Sequence, residues 1–115
     1  MIKKLFLTLA MFAVAMPAAA NEYRCGWLQN PTPANWYLQD REGSWTISTQ
    51  GGAQAEGMEN LPSFSKTEYI KTNGYYGYGC ACLEVQTNSS QMRITSIQSG
   101  QSLNLDVCQT DPAIR

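Results

Sequence analysis

Two cysteines stand two residues apart, Cys80 and Cys82, inside the run Asn73-Gly74-Tyr75-Tyr76-Gly77-Tyr78-Gly79-Cys80-Ala81-Cys82. Adjacent thiolates suit two kinds of chemistry. They bind a soft metal such as Cu(I), here with Met58 or Met92 as a further ligand, or they exchange disulfides. Against both stands the even count of four cysteines, the others being Cys25 and Cys108. In an oxidising compartment four cysteines read as two structural disulfides. Residues i and i+2 of a strand share a face, so a Cys80–Cys82 bond would be badly strained. Each is expected to reach Cys25 or Cys108, in one of two pairings. Both ends of the domain would then be tied to one central strand.

Other catalytic patterns are weaker. The chain has no histidine, which removes the usual general base, the usual zinc ligand and every Ser–His–Asp or Cys–His arrangement. Ser63-Phe64-Ser65-Lys66 contains the Ser-x-x-Lys string of penicillin-binding enzymes, without its companion motifs. Asp40 and Glu42 fall in a predicted turn, Glu56 and Glu59 in a predicted loop, and Glu84 opposite Arg93. Turn and surface roles account for them without glycoside chemistry. Asn88-Ser89-Ser90 has the form of a glycosylation sequon and is read as a turn. No catalytic residue, no metal and no cofactor is assigned, and the expectation is a protein that is not an enzyme.

The remaining signal is aromatic. Trp36 and Trp45 fall on the apolar face of a predicted hairpin and read as core. Tyr37, Tyr75, Tyr76 and Tyr78 cannot all be inside. Tyrosines among glycines present rigid contact area at low entropic cost, which suits recognition of a protein or a cell-wall glycan. These four are the candidate binding surface. The competing reading is that the glycines bend a barrel corner and the tyrosines cover it.

The elements that position these residues follow a leader. Lys3 and Lys4 precede an apolar run from Leu5 to Met16, Pro17 and Ala18-Ala19-Ala20. This is a signal-peptide pattern with cleavage expected after Ala20. The run is too short for a bilayer span of roughly 20 residues. Glu22-Tyr23-Arg24 before Cys25 does not fit a lipid-anchor site. The expectation is a periplasmic chain without a membrane anchor, with residues 1–20 as leader and 21–115 as one domain. Removing Lys3 and Lys4 from eight basic residues leaves six against nine acidic ones, a net charge of −3. No basic stripe exists, so nucleic acid is not an expected partner.

Within the domain every periodic segment has period two, which predicts an all-β fold, a small antiparallel barrel or sandwich with two disulfides and at most one short helical turn. Tyr23 to Leu28 reads as a strand that Asn30-Pro31-Thr32-Pro33 stops. Asn35 to Ser48 reads as a hairpin pairing Gln39 with Ser44, Leu38 with Trp45 and Trp36 with Ile47; this register separates apolar from polar residues. Gly51 to Gly57 reads as a loop. Ser65-Lys66-Thr67-Glu68 has the capping-box pattern, and Tyr69 to Thr72 resembles a strand. A second hairpin is predicted with Val85 facing Met92, Leu83 facing Ile94 and Glu84 facing Arg93. Gly100 is predicted to turn the chain into a last strand holding Leu103, Leu105, Val107 and Cys108.

The blocks Cys25-Gly26-Trp27-Leu28, Asn30-Pro31-Thr32-Pro33-Ala34-Asn35-Trp36, Gly57-Met58, Leu61-Pro62 and Tyr76-Gly77-Tyr78-Gly79-Cys80-Ala81-Cys82-Leu83 resemble the bacterial family called domain of unknown function 4087. The resemblance runs from about Cys25 to Cys108. It implies a small exported bacterial protein and no established activity, and it offers no catalytic or ligand residue to carry over. The expected function is therefore a non-enzymatic binding or inhibitor-like module. The alternative is a thiol-redox or copper-binding protein using Cys80 and Cys82.

Overall fold

The computed structural model describes residues 20–114. The leader pattern before Ala20 lies outside these residues. One six-stranded sheet is built from β1 (Glu22–Thr32), β2 (Asn35–Asp40), β3 (Gly43–Ser48), β4 (Ile70–Asn73), β5 (Tyr76–Asn88) and β6 (Arg93–Leu103). Its order is β1-β2-β3-β6-β5-β4, and β1 also pairs with β5. Five strands thus close on themselves, and β4 continues along the side of β5 that β6 leaves. Of the expected barrel or sandwich stapled by two disulfides, the barrel is the fold. Pairing is antiparallel except at the β3–β6 seam, where Thr46 opposes Arg93 in parallel. A five-stranded, partly open barrel is an architecture shared with OB-folds, and architecture alone assigns no function.

The seam is short, and the Gly51–Gly57 loop reinforces it. Ala55 N–H donates to Ile47 O, Glu56 N–H to Thr95 O, and Ile97 N–H to Glu56 O. The barrel interior holds Leu28, Leu38, Trp45, Ile47, Ala81, Leu83, Val85, Ile94 and Ile97. Burying each large side chain contributes roughly 1.5–3 kcal/mol. Phe64 packs against this core from one end. A Cβ on Gly79 would sit 2.5 Å from the Phe64 ring, so this position needs glycine to admit the plug.

The first hairpin keeps its predicted register from Gln39–Ser44 to Tyr37–Thr46. A bulge beyond Tyr37 then sets Trp36 opposite Ser48 instead of Ile47. Trp36 is half-buried and still packs on the core.

Four local expectations are corrected. β1 does not stop at Asn30 but runs to Thr32, because Pro31 lies where the β1–β2 register shifts and no ladder donor is needed there. The Asn30 amide donates to Thr32 O and Asn35 O across the break. The second hairpin pairs Val85 with Ile97, Leu83 with Gly100 and Glu84 with Ser99. Two bulges and a 3-10 turn at Ser89–Gln91, ended by Met92 at φ 50°, displace the predicted register. Gly100 lies inside β6, where a Cβ would meet Pro62 at 2.7 Å and Asn60 O at 2.8 Å. Leu105 to Gln109 is a short helix, α1, not a strand.

Two further 3-10 turns occupy Met58–Asn60 and Lys66–Glu68. The second sits on the capping-box pattern, but the Ser65 side chain does not cap it. Glu68 instead accepts a 2.7 Å hydrogen bond from Leu105 N–H and fixes the start of α1.

Candidate functional site

Alternation along β5 decides where the cysteines point. Ala81, Leu83 and Val85 enter the core, so Cys80 and Cys82 face outward with Glu84. Cys82 lies directly opposite Cys25 on β1 and bonds to it. Cys80 bonds to Cys108 on α1. Both bonds join a central-strand cysteine to a distant one, as the i, i+2 spacing requires. Among the described residues no cysteine is free. Met58 and Met92 pack against the core cluster, on the other side of β5 from Cys80 and Cys82. The soft-metal set suggested by residue types is therefore not assembled, and no group of three or more Cys, Asp or Glu among the described residues could hold a metal.

The outward surface beside these bonds is ordered by the ladders. Gln29 of β1 lies opposite Tyr37 of β2 and Tyr78 of β5. Tyr37 in turn opposes Thr46, and Tyr78 opposes Ile70. One outward row therefore reads Thr46, Tyr37, Gln29, Tyr78, Ile70. The neighbouring row reads Ser44, Gln39, Trp27, Cys80, Leu103. Opposed residues share a face, so the two rows form one patch. Trp27 and Tyr78 meet edge to face at 5.2 Å and 89°. The Gln29 amide donates to Gln39 Oε1 at 3.2 Å. Trp27 and Leu103 also pack on Cys80, Cys108 and Ile114, so α1 and the residues after it wall one side of the patch.

Of the four candidate tyrosines, Tyr37 and Tyr78 share this row, one on each side of Gln29. Tyr76 lies two residues from Tyr78 on the same outward face of β5. Tyr75 stands apart in the Gly74-Tyr75 turn of the β4–β5 hairpin, 87% exposed, with Lys71 Nζ 5.3 Å from its ring centre. Trp27, Gln29 and Gln39 were missed as partners. The signal for Trp27 was present, because it alternates with Leu28 and immediately precedes it in the Cys25-Gly26-Trp27-Leu28 block.

A second region lies where β1 passes the β2–β3 turn. Arg24 binds Glu22 at 2.7 Å, Asp40 at 2.9 Å and Glu42 at 3.4 Å. Its guanidinium lies 3.9 Å from the centre of the Trp45 ring. Burial disfavours the Arg24 charge, but hydrogen bonds to Asp40 and Glu22, with the charges of Glu22 and Glu42, outweigh it and raise the pKa. Asp40 was expected at an exposed turn. It is instead buried and accepts from Trp45 Nε1 at 3.0 Å and from Glu42 N–H at 2.9 Å. A cavity of about 320 Å³ opens beside this cluster, lined by Tyr23, Arg24, Arg41, Val107, Asp111 and Ile114 among others. A smaller one, about 230 Å³, lies at the barrel end under Trp36, Phe64 and Tyr69. Phe64 and Tyr69 stack there at 5.6 Å, and burial pushes the Tyr69 hydroxyl pKa up.

A family model described as Protein of unknown function (DUF4087) matches residues 19–115. No curated protein and no solved structure matches the chain.

Proposed function

Because the chain belongs to the DUF4087 family, which carries no activity to inherit, we propose from its residues that it is an exported, periplasmic, non-enzymatic binding or inhibitor-like module. Its working surface is the outward patch of β1, β2 and β5, with Tyr37, Tyr76 and Tyr78 as contacts and Tyr75 as a separate tip. The observation that carries this reading is the cross-strand row Tyr37–Gln29–Tyr78, set on a barrel whose pairing and two disulfides hold it rigid. Rigid aromatic area loses little entropy on binding. The partner is a protein or a cell-wall glycan. Export accords with two disulfides, which persist in oxidising compartments.

The test pairs capture with folding. Wild-type protein and the Tyr37→Ala variant are immobilised and exposed to periplasmic extract and to isolated cell-wall material. Retention by the wild type, lost in a variant that still melts like the wild type, is the expected result. Equal retention by both removes the patch from the account.

A thiol-exchange reading has one observation in its favour. Cys25 is exposed, whereas Cys80 and Cys108 are buried. Exposed disulfides exchange first. Mild reduction that opens Cys25–Cys82 alone and changes partner capture would promote this reading over simple recognition.

A further inference from the structure

Resting on the binding-module reading, we infer that the outward patch takes a neutral oligosaccharide, whose rings lie along Tyr37, Gln29 and Tyr78 beside Trp27. Four features converge on this ligand class.

The first is charge. The two rows hold Thr46, Tyr37, Gln29, Tyr78 and Ile70, then Ser44, Gln39, Trp27, Cys80 and Leu103. None of these side chains is charged. Glu22, Asp40 and Glu42 are gathered around Arg24, where they pair with it. Beyond Thr46 the row continues to Arg93, whose guanidinium donates to Ala53 O at 3.5 Å; the stretch from Tyr37 through Gln29 to Tyr78 offers phosphate or carboxylate ligands no cation.

The second is chemistry. A pyranose offers apolar C–H faces and a rim of hydroxyls. Aromatic rings take the faces, and planar amides, each a donor and an acceptor, take neighbouring hydroxyl pairs. Tyr37, Tyr78 and Trp27 supply the rings, and Gln29 and Gln39 supply the amides, already linked to each other at 3.2 Å.

The third is spacing. Tyr37 and Tyr78 flank Gln29 on the two neighbouring strands, so their backbones lie about 10 Å apart, two strand spacings. That is the length of a disaccharide. The fourth is shape. Trp27 stands at 89° to Tyr78, and the α1 segment, bonded to β5 by Cys80–Cys108, rises beside it. A ring stacked on one aromatic meets the edge of the other. A protein partner would instead favour the exposed apolar side chains, and these (Tyr23, Tyr75 and Val107) lie off the two rows.

The protein obtained by expressing the full 115-residue sequence is titrated with chitotetraose, cellotetraose and maltotetraose, following tryptophan fluorescence and heat. At least one should bind saturably, with a Kd on the order of 1 mM or tighter. Tyr37→Ala and Gln29→Ala should each weaken that binding about ten-fold or more, while Gln98→Ala, an exposed position of β6 outside both rows, leaves it unchanged. A fully anionic tetragalacturonate should bind at least about ten-fold more weakly. No saturable binding to any neutral sugar, wild-type affinity in Tyr37→Ala and Gln29→Ala, or tighter binding of the anionic sugar overturns the inference. If no sugar binds but a periplasmic protein is captured in a Tyr37-dependent way, the glycan inference fails and the binding-module reading stands.

Discussion

The Arg24 cluster and the Tyr37–Gln29–Tyr78 row lie on the same strand, β1, and make opposite use of polar groups. Arg24 meets three carboxylates, and Asp40 spends its oxygens on Arg24, the Trp45 indole and the Glu42 N–H. Among the described residues no buried side-chain polar atom lacks a partner. The cluster is closed: its bonds are made within the fold, and a ligand would have to break them. In the row, Tyr37, Gln29 and Tyr78 lie half-buried on the outer side of a finished barrel. The lesson is that the most charged, most connected cluster here is a fastening. The uncharged row beside it is where contact area is left over.

Each prediction either breaks that contrast or sharpens it. The largest effect belongs to the closed side. Trp45→Ala removes the core ring beneath Arg24 and should destabilise the fold by roughly 3–5 kcal/mol in chemical denaturation. Asp40→Ala leaves Arg24 and the Trp45 indole short of a buried partner and should cost about 3 kcal/mol or more. An Asp40→Ala protein as stable as the wild type would make the cluster dispensable and reopen it as a functional site.

The disulfides come next. Cys80–Cys108 closes 28 residues, and Cys80→Ser with Cys108→Ser should lower stability by about 2–4 kcal/mol. Because α1 walls the patch, this double variant should also lose ligand affinity. The Cys25–Cys82 double variant, whose strands remain paired through nine ladder positions, should keep it.

Smaller still is Tyr37→Ala, expected to change stability by less than about 1 kcal/mol. A loss as large as that of Trp45→Ala would make the tyrosines packing residues. The last effect is at high pH. Burial raises the Tyr69 pKa above the ordinary tyrosine value. The neutral phenol is therefore the favoured folded form. Its stabilising contribution is complete below an unfolded pKa of about 10 and disappears as pH rises through the folded value. Tyr69→Phe should be less sensitive to alkali above pH 10 in parallel melts.

Much of this was legible in the residues, for identifiable reasons. Strict alternation with a clean apolar face fixed Leu38 against Trp45, because a one-residue slip would have turned Trp45 to solvent. The spacing of Cys80 and Cys82 excluded their mutual bond and left only the two pairings. The β5–β6 register was not legible. Its displacement depends on two bulges and on Met92 in a left-handed conformation, which its residue type does not advertise. Leu105 and Val107 alternate with Asp106 and Cys108 as in a strand, but tertiary anchors from Glu68 and Cys80 hold the segment as a helix. The Arg24–Asp40 pair spans 16 residues and has no local pattern at all. The row Tyr37–Gln29–Tyr78 needs three strands in register, so only its tyrosines could be named beforehand.

The most direct test is an amide and indole chemical-shift map of the protein titrated with a neutral tetrasaccharide. Shifts confined to Gln29, Tyr37, Gln39, Tyr78 and the Trp27 indole are predicted, with Tyr23, Arg24, Val107 and Asp111 silent. Shifts centred on those last four residues, at the Arg24 cavity, would contradict the assignment of the outward row as the binding face.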